Sequence, residues 1–465
     1  MLLDGKISFI LLVASALLMS SCGGSSTGGG TTPPPPPSTA NEWAWMSGSS
    51  TAGAAGVYGA LGVASASNVP GARNNAVSWT DSSGNLWLFG GWGGSLGTTG
   101  LLNDLWKFSP TTKEWTWVSG SNTPGAIGFY GTQGVASASN VPGAREGAAS
   151  WIDTSGNLWL FGGGANDLWK FSPTTKEWIW VSGSDTPGAI GFYGTQGVAS
   201  ASNVPGARFL SVSWIDSSGN LWLFGGEGYG PTGVNGDLSD LWEFNPTAKT
   251  WTWVSGSSTA NSKGVYGTLG VASASNVPGA RFESVSWIDS HGNFWLFGGD
   301  GYDSTGADGF LNDLWEFDPT TKEWTWISGS STVNASGIYG TQGVPAITNV
   351  PGNRFGAINW IDSSGNFWLF GGAGEYSNGY LAGLNDLWEF NPTTKVWTWM
   401  SGNSMVNASG IYGTQGVPAI TNVPGNRSFA ISWIDTNGNL WLFGGLGVDS
   451  TDTIGVLNDL WRYQP

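Results

Sequence analysis

Six arginines stand at one repeated position of the chain and are the side chains best suited to bind an anion. They are Arg73, Arg145, Arg208, Arg281, Arg354 and Arg427. A guanidinium group recognises an oxyanion through two parallel hydrogen bonds, so a ring of six would hold a carboxylate or sulfate ligand. Six aspartates recur as regularly: Asp104, Asp167, Asp240, Asp313, Asp386 and Asp459. Pairing of each arginine with one aspartate is the favoured alternative, because a single ligand rarely needs six equal contacts.

Acidic loop residues are the other group with possible chemistry, since their oxygens could bind calcium. They are Asp300, Asp303, Asp308, Asp449 and Asp452. Their spacing matches no specific calcium loop, so we predict no cofactor and interpret them as surface charges. The only histidine, His291, lies in a turn segment where a solvated side chain is expected rather than a metal ligand or catalytic group.

The charge balance restricts the choice of partner. The formal net charge is −16 and the sequence pI is about 4.3. An acidic surface repels phosphate backbones and anionic lipid headgroups. The sequence therefore excludes nucleic acid as a predicted partner.

One repeated unit must position all of these residues. Copies begin at Pro70, Pro142, Pro205, Pro278, Pro351 and Pro424. In the third copy, aromatic and β-branched runs bounded by Gly, Pro, Asn and Asp predict four strands: one that ends at 214–216, and three at 220–224, 240–244 and 251–254. Of the 31 tryptophans, all but Trp92 fall at five fixed positions per copy, which predicts packing between copies.

The sixth copy lacks its fourth strand, and a matching segment lies at the other end of the chain. That segment contains Trp43 and Trp45. A closed ring would let the two chain ends share one repeat, whereas a linear stack would not need this arrangement. The sequence thus predicts an all-β fold: a six-bladed β-propeller with four antiparallel strands per blade, closed by an N-terminal strand that completes the last blade.

The repeat also resembles a known family. An apolar run ending in Gly-Gly is followed by an aromatic, a Pro and a Trp at fixed spacing, with seven residues from Phe108 to Trp115. This pattern resembles the kelch repeat over about residues 42–465; it departs in having Phe for the usual Tyr of the third strand, except at Tyr463. Kelch repeats form β-propellers, including the central domain of galactose oxidase, so the resemblance implies a fold but no single activity. The copper-radical chemistry of galactose oxidase is excluded, because it needs paired histidines and a cysteine-linked tyrosine.

The N-terminal segment predicts export and anchoring. Residues 7–19 are almost wholly apolar and end in small residues before Cys22, the only cysteine. This resembles a bacterial lipoprotein cleavage site, which implies a signal peptide over 1–21 and lipidation of Cys22; plain cleavage and secretion is the alternative. Residues 22–40 are a Gly/Ser/Thr/Pro-rich tether, and 41–465 the propeller. The expected location is extracytoplasmic and lipid-anchored, in the outer membrane if the cell has two.

Strand order predicts which face carries binding. The 2–3 loops, between second and third strands, and the 4–1 loops, between successive copies, lie on one face, where loops on a rigid scaffold usually bind ligands. The second copy keeps only Gly164 and Ala165 in its 2–3 loop, which predicts a cleft bordered by Trp92 and Tyr229. Trp92 is a stacking platform in this interpretation; a ring folded back onto its own blade is the alternative.

The predicted function is non-catalytic binding of a protein or glycan by a monomer whose only membrane contact is its lipid anchor. The alternatives are an extracytoplasmic carbohydrate-active enzyme of sialidase type, or a purely structural envelope protein. An active site should break the repeat with an unmatched acid, base or nucleophile. Outside the 2–3 loops the sequence gives little sign of such a group.

Overall fold

The computed structural model describes residues 41–95, 98–375, 381–404 and 406–465. Residues Asn41–Pro465 form one compact unit. The predicted signal peptide, the tether and Cys22 lie outside the described residues.

The chain from its first described strand to the end of the second copy contains β1 (Glu42–Ser47), β2 (Ala64–Ser65), β3 (Arg73–Asn74), β4 (Val77–Thr80), β5 (Leu86–Ser95), β6 (Thr98–Ser109), β7 (Glu114–Ser119), β8 (Ala149–Ile152), β9 (Leu158–Phe161), β10 (Leu168–Ser172) and β11 (Glu177–Ser182). The third and fourth copies contain β12 (Arg208–Phe209), β13 (Val212–Ile215), β14 (Leu221–Phe224), β15 (Glu227–Tyr229), β16 (Asn235–Asp237), β17 (Leu241–Asn245), β18 (Thr250–Ser255), β19 (Arg281–Phe282), β20 (Val285–Ile288), β21 (Phe294–Tyr302), β22 (Asp308–Asp318) and β23 (Glu323–Ser328). The fifth and sixth copies contain β24 (Ile358–Ile361), β25 (Phe367–Phe370), β26 (Ala373–Glu375), β27 (Leu381–Gly383), β28 (Leu387–Asn391), β29 (Val396–Ser401), β30 (Arg427–Ser428), β31 (Ile431–Ile434), β32 (Leu440–Val448) and β33 (Ile454–Gln464).

Each of the first five copies builds one antiparallel sheet from four main strands in chain order, and the sixth copy supplies three such strands. In the third copy the order is β13–β14–β17–β18, with Trp214 opposite Trp222 and Phe244 opposite Trp251. None of the described residues lies in a helix. The predicted all-β class and its repeated antiparallel four-stranded sheets are confirmed, and such sheets are compatible with the blades of a propeller.

An aspartate fixes the turn between the first and second strands. Asp216 Oδ1 accepts the backbone N–H groups of Ser218 and Asn220, each at 2.9 Å. Its Oδ2 accepts the indole N–H of Trp222 at 3.0 Å. The turn residues predicted from the sequence therefore orient the buried tryptophan of the second strand.

The 2–3 connections differ from the predicted loops. In the first, fourth and sixth copies the second and third strands continue as a longer hairpin, such as β21 with β22. In the third copy the separate hairpin β15–β16 plays this role. Gly225 and Gly226 have φ of 64° and 93°, so the chain bends at the Gly-Gly pair before pairing resumes.

The outer edge of each sheet is covered by the connection that leads into that copy. In the third copy Ser200 forms a bridge with Trp251 of β18, and the Asn203 amide donates to the Trp251 carbonyl at 3.1 Å. The same bridge recurs from Ala419 to Trp43 of β1. Covering the edge in this way blocks pairing with another chain.

The core lies between successive sheets. One buried cluster joins Trp159 and Phe161 of the second copy to Trp251 of the third, and Phe161 and Trp251 have ring centroids 5.4 Å apart. Another cluster joins Trp115 of the first copy to Trp433 of the sixth. Tryptophan at fixed strand positions therefore packs between copies, as the sequence predicts.

The N-terminal strand pairs with the last strand of the chain. In β1, Trp43 lies opposite Tyr463 and Trp45 lies opposite Trp461. Trp43 is only 2% exposed. Strand β1 thus occupies the place that β18 has in the third copy.

The first strands of the copies contact one another in sequence. Strand β4 contacts β8, β8 contacts β13, β13 contacts β20, β20 contacts β24, β24 contacts β31, and β31 contacts β4. Hydroxyl groups add hydrogen bonds between them, from Ser213 to the Ser150 carbonyl and from Ser432 to the Asn359 carbonyl, both at 2.9 Å.

Candidate functional site

Each repeated arginine is buried against the repeated aspartate of its own copy. In the third copy Arg208 Nη1 and Nη2 donate to the two carboxylate oxygens of Asp240, both at 2.8 Å, and these side chains are 1% and 0% exposed. The Asp240 carboxylate also accepts the Tyr193 hydroxyl and the Trp242 indole N–H. The same contacts recur in all six copies, for the pairs Arg73–Asp104, Arg145–Asp167, Arg208–Asp240, Arg281–Asp313, Arg354–Asp386 and Arg427–Asp459.

Electrostatics favour the charged form of all six arginines. Burial disfavours the charged form of Arg208, but the charge and hydrogen bonds of Asp240 outweigh it and raise the pKa of Arg208 above its ordinary value. Burial likewise opposes ionisation of Asp386, but Arg354 and three hydrogen bonds keep the pKa of that carboxyl below its ordinary value. The sequence left two interpretations of the repeated arginines, a ring that binds an anion and pairing with the repeated aspartates. The observed geometry is that of pairing. The arginines tie the start of each copy to its third strand and present no exposed guanidinium group within the described residues.

Two of the acidic loop residues, Asp303 and Asp449, close turns. Asp303 Oδ1 accepts the backbone N–H groups of Thr305 and Ala307 at 2.7 and 3.0 Å, and Asp449 is bonded to the Thr451 and Thr453 N–H groups in the same way. Within the ranges that the structure covers, no group of three or more His, Cys, Asp or Glu side chains is placed to hold a metal ion. The His291 side chain is 81% exposed in its turn.

The two predicted aromatic contacts lie in different settings. Trp92 is 43% exposed on β5, where it pairs with Asn74. Tyr229 is half-buried at the end of β15, and its ring lies against Gly188, where an added Cβ would be 3.2 Å from the ring. Gly188 in turn bonds to Gly164, so Tyr229 borders the short 2–3 connection of the second copy.

A ring of backbone hydrogen bonds joins the six copies where their first strands begin. Its members stand two residues after each arginine: Asn75, Gly147, Leu210, Glu283, Gly356 and Phe429. Each N–H donates to the carbonyl of the member before it, and Asn75 donates to Phe429, with distances between 2.6 and 3.1 Å. All six have positive φ, between 51° and 61°. Four are not glycine, and left-handed backbone at such residues is uncommon and concentrates at functional sites.

The ring encloses a cavity of about 160 Å³ (the ring cavity). The ring members line it together with the next residue of each copy: Ala76, Ala148, Ser211, Ser284, Ala357 and Ala430. The 4–1 loops lead directly into the ring, since each arginine stands two residues before a ring member. The backbone repeats here but the side chains do not, so the cavity is the place where the copies become chemically different.

Glu283 is the titratable residue among those that line the ring cavity. It is 7% exposed, and no described donor reaches its Oε1 atom. Burial first, and then the charges of four carboxylates, raise the pKa of Glu283 well above its ordinary value. The four carboxylates belong to Asp300, Glu227, Glu146 and Asp237.

Glu146 extends this acidic side of the ring to the second copy. Burial raises the pKa of Glu146, and a 3.4 Å hydrogen bond from the Asn75 amide opposes the shift. The acidic side therefore spans the second, third and fourth copies.

Aromatic rings form the other side of the ring cavity. Phe429 lines the cavity, and its ring centroid is 5.8 Å from that of Phe355. Phe310 stacks on Phe355 at 4.9 Å. Gly356 leaves room for Phe429, since a Cβ there would lie 2.5 Å from the ring. The ring cavity thus has an acidic side and an apolar side.

The sequence interpretation missed Glu283 and Glu146. The sequence analysis looked for an unmatched acid, base or nucleophile and found little sign of one outside the 2–3 loops, although both glutamates stand there, at the start of the first strands. Across the copies, the position of Glu283 reads Asn, Gly, Leu, Glu, Gly and Phe, so the break in the repeat is visible in the sequence.

Comparison with protein-family models finds no match to this chain, and comparison with curated proteins finds none either. The kelch resemblance therefore rests on the repeated residues and stays a prediction. No helix in the described segments is long and apolar enough to cross a membrane.

Proposed function

We propose that residues 41–465 form a six-bladed kelch-type propeller closed by β1. The pairing of Trp43 with Tyr463 supports closure, since it joins the two ends of the described chain. The contact of β31 with β4 supports it independently, because it links the first strand of the last copy to that of the first. In this fold the ring cavity is the mouth of the central channel.

We further propose that the protein is a non-catalytic binding protein, and that its ligand, a protein or a glycan, docks at this mouth on the looped face. One observation carries the proposal: the repeated charges satisfy one another inside each copy, whereas the side chains that line the ring cavity differ from copy to copy. Glu283 lines the cavity, and Glu146 lies beside it. Trp92 pairs with Asn74, next to ring member Asn75, and so offers an exposed aromatic face near the mouth.

A binding screen against glycans and surface proteins tests this proposal. A ligand of the mouth should lose affinity when Trp92→Ala and Glu283→Gln are introduced, by at least about 1 kcal/mol for an anchoring aromatic. His291→Ser is the matched control, because His291 is exposed in a 1–2 turn on the opposite face and other copies carry Ser there. Equal losses in all three variants, or none in the two mouth variants, would contradict docking at the mouth.

A carbohydrate-active enzyme is the second candidate, and the carboxyl groups of Glu283 and Glu146 favour it. Both have raised pKa values, a property of general acids in glycan cleavage. The test is whether the protein releases reducing sugar from glycans. If it does, and if Glu283→Gln abolishes the release while His291→Ser does not, the protein is an enzyme rather than a binding protein.

We also propose that Cys22 carries a lipid that anchors the chain to an extracytoplasmic membrane surface. The spacing of the apolar segment and the small residues before Cys22 support it. The Gly/Ser/Thr/Pro-rich residues 22–40 would then hold the propeller off that surface.

A further inference from the structure

One junction between copies lacks a charge pair that the repeat forms elsewhere. Between the fourth and fifth copies, Lys395 lies 3.5 Å from Glu316. Lys395 stands in the turn between the third and fourth strands (the 3–4 turn) of its copy, and Glu316 lies on β22, the third strand of the preceding copy. At the junction of the sixth and first copies, the same two repeat positions hold Arg462 and Lys113. Two cations therefore stand where the repeat can form an ion pair.

Arg462 and Lys113 line one cavity of about 120 Å³ (the junction cavity). Arg462 is half-buried on β33, and Lys113 is exposed between β6 and β7. Neither side chain forms an ion pair with another described residue. Removing a cation from water costs free energy unless an opposite charge lies beside it. An anion in the junction cavity would offset this cost for both side chains.

Two turns between first and second strands (1–2 turns) approach each other at this junction, and both line the junction cavity. A Cβ added to Gly84 of the first copy would lie 2.8 Å from Cγ2 of Thr436 in the sixth copy. At the equivalent glycine of each other copy, no described atom lies within 4 Å of an added Cβ: Gly156, Gly219, Gly292, Gly365 and Gly438. The contact between the two turns therefore gives the cavity a wall that the repeat alone does not supply.

Hydrogen-bond donors reach the junction cavity from several segments. Arg462 carries a planar fork of N–H donors, and Lys113 carries an ammonium group. Ser83, Thr111 and Thr436 also line the cavity, and their hydroxyls donate to no described acceptor. These residues lie on the third strand, the 3–4 turn and both 1–2 turns, so their donors approach a bound group from different sides.

The junction cavity is positive although the whole chain is acidic. Asp435 is the acidic residue among the described residues that line it, against two cations. Its Oδ1 accepts the N–H groups of Asn437 and Asn439 at 2.9 and 3.0 Å, and its Oδ2 accepts the Trp441 indole N–H at 2.9 Å. That carboxylate thus holds its own turn and pairs with neither cation.

A tetrahedral oxyanion fits these walls better than a carboxylate does. Sulfate and phosphate groups present oxygens in several directions, whereas a carboxylate presents both of its oxygens in one plane. An arginine fork binds two oxygens of such a group, and an ammonium group binds another as a point charge. The volume of about 120 Å³ is far above the roughly 10–15 Å³ that one water needs, so a group of this size has room.

We propose that the junction cavity binds a tetrahedral oxyanion, the sulfate or phosphate group of a small ligand, with Arg462 and Lys113 as its counter-charges. The site is distinct from the ring cavity and does not rest on the function proposed there. Polyanions such as nucleic acid are disfavoured as ligands, because the net charge of −16 repels them outside the cavity.

Calorimetric titration of the purified full chain with sodium sulfate and with sodium phosphate, at constant ionic strength, tests the inference. We expect at least one of the two ions to bind saturably at one site, and chloride not to displace it. Arg462→Glu should abolish this binding, because it gives the junction the carboxylate that Glu316 supplies between the fourth and fifth copies. Its melting temperature should not fall below that of the parent, since Lys113 gains a partner. Lys113→Gln, a change in an exposed turn, should weaken binding at least about tenfold.

Lys170→Glu is the matched control. Lys170 holds the position of Arg462 in the second copy, and Lys249 of the third copy holds that of Lys113. The variant makes the same change of charge as Arg462→Glu, but neither lysine lines the junction cavity. It should keep the affinity of the parent within about twofold, because salt screens charges at other junctions.

Esters separate the two sources of the oxyanion. Methyl sulfate and methyl phosphate carry the same group in ester linkage. Ester binding at least as tight as that of the free ion assigns the site to an ester group of an organic ligand. Weaker binding of both esters assigns it to the inorganic ion.

Several outcomes would overturn the inference. Equal affinity in the parent, Arg462→Glu and Lys113→Gln would do so, as would the absence of saturable binding to the parent. A loss in Lys170→Glu as large as that in Arg462→Glu would show attraction by overall charge rather than a site. Acetate that binds more tightly than sulfate and phosphate would replace the tetrahedral group by a carboxylate. None of these results bears on the ligand proposed for the ring cavity.

Discussion

Glu283 is the residue at which stability and the proposed function oppose each other. It is a buried carboxyl with a raised pKa, surrounded by Asp300, Glu227, Glu146 and Asp237. A carboxyl whose pKa is higher in the folded than in the unfolded chain contributes stability below its unfolded pKa and loses it as pH rises through the folded pKa. The folded protein should therefore lose stability as pH rises and Glu283 is forced to ionise beside these carboxylates.

Replacing Glu283 by Gln should make the unliganded protein more stable at neutral pH. The amide keeps the shape and carries no charge, so the gain should be about 1–3 kcal/mol, the usual desolvation cost of an unsatisfied buried group. Melting curves from about pH 4 to about pH 8 should converge at the acid end and diverge toward neutral pH. A variant that is less stable than the parent at neutral pH would show that Glu283 has a stabilising partner instead.

The buried arginine–aspartate pairs predict the opposite result when one partner is removed. Asp240→Ala would leave Arg208 charged and buried without its carboxylate, and would also free the Trp242 indole N–H. The expected loss is about 3–5 kcal/mol in denaturant unfolding. Lys395→Gln is the comparison, because Lys395 is 48% exposed and lies 3.5 Å from its acidic partner. That exposed pair should contribute at most about 1 kcal/mol. Similar losses in the two variants would contradict the structural role of Asp240.

At the scale of elements, β1 should be needed to complete the sheet of the sixth copy. Deleting residues 41–48 would expose the hydrogen-bonding edge of β33 and remove Trp43, which packs against Trp461 and Tyr463. We expect a large drop in melting temperature or aggregation through the uncovered edge. The parent chain, which keeps residues 41–48, is the control. A deleted form that melts like the parent would contradict closure by β1.

The elements also show which parts of the fold can be predicted from the sequence. The strand predicted at 220–224 is β14, Leu221–Phe224, and that at 251–254 lies within β18, Thr250–Ser255. These strands follow from local residue pattern and turn chemistry. The hairpin β15–β16 and the short strand β12 were not predicted, because they depend on the bend at Gly226 and on pairing between distant segments.

The candidate site was harder to predict for the same physical reason. The arginine–aspartate pairing could be inferred from sixfold repetition. The ring of hydrogen bonds could not, since Asn75 and Phe429 meet only when the last copy lies beside the first. Glu283 was visible as an unmatched acid, but its burial and its place in a cavity depend on that ring.

At the scale of the whole molecule, the apolar segment, Cys22 and the tether predict a protein held at a membrane surface. Replacing Cys22 by Ser should move the protein from the membrane fraction to the soluble fraction of the cell envelope, because a chain without the thiol cannot receive the lipid. Residues 41–465 should be unaffected, so Cys22→Ser should retain the melting temperature and ligand affinity of the parent. Incorporation of a palmitate analogue measures the modification directly and should be lost in the variant. Equal labelling of parent and variant, or retention of the variant in the membrane fraction, would show that another part of the chain makes the attachment.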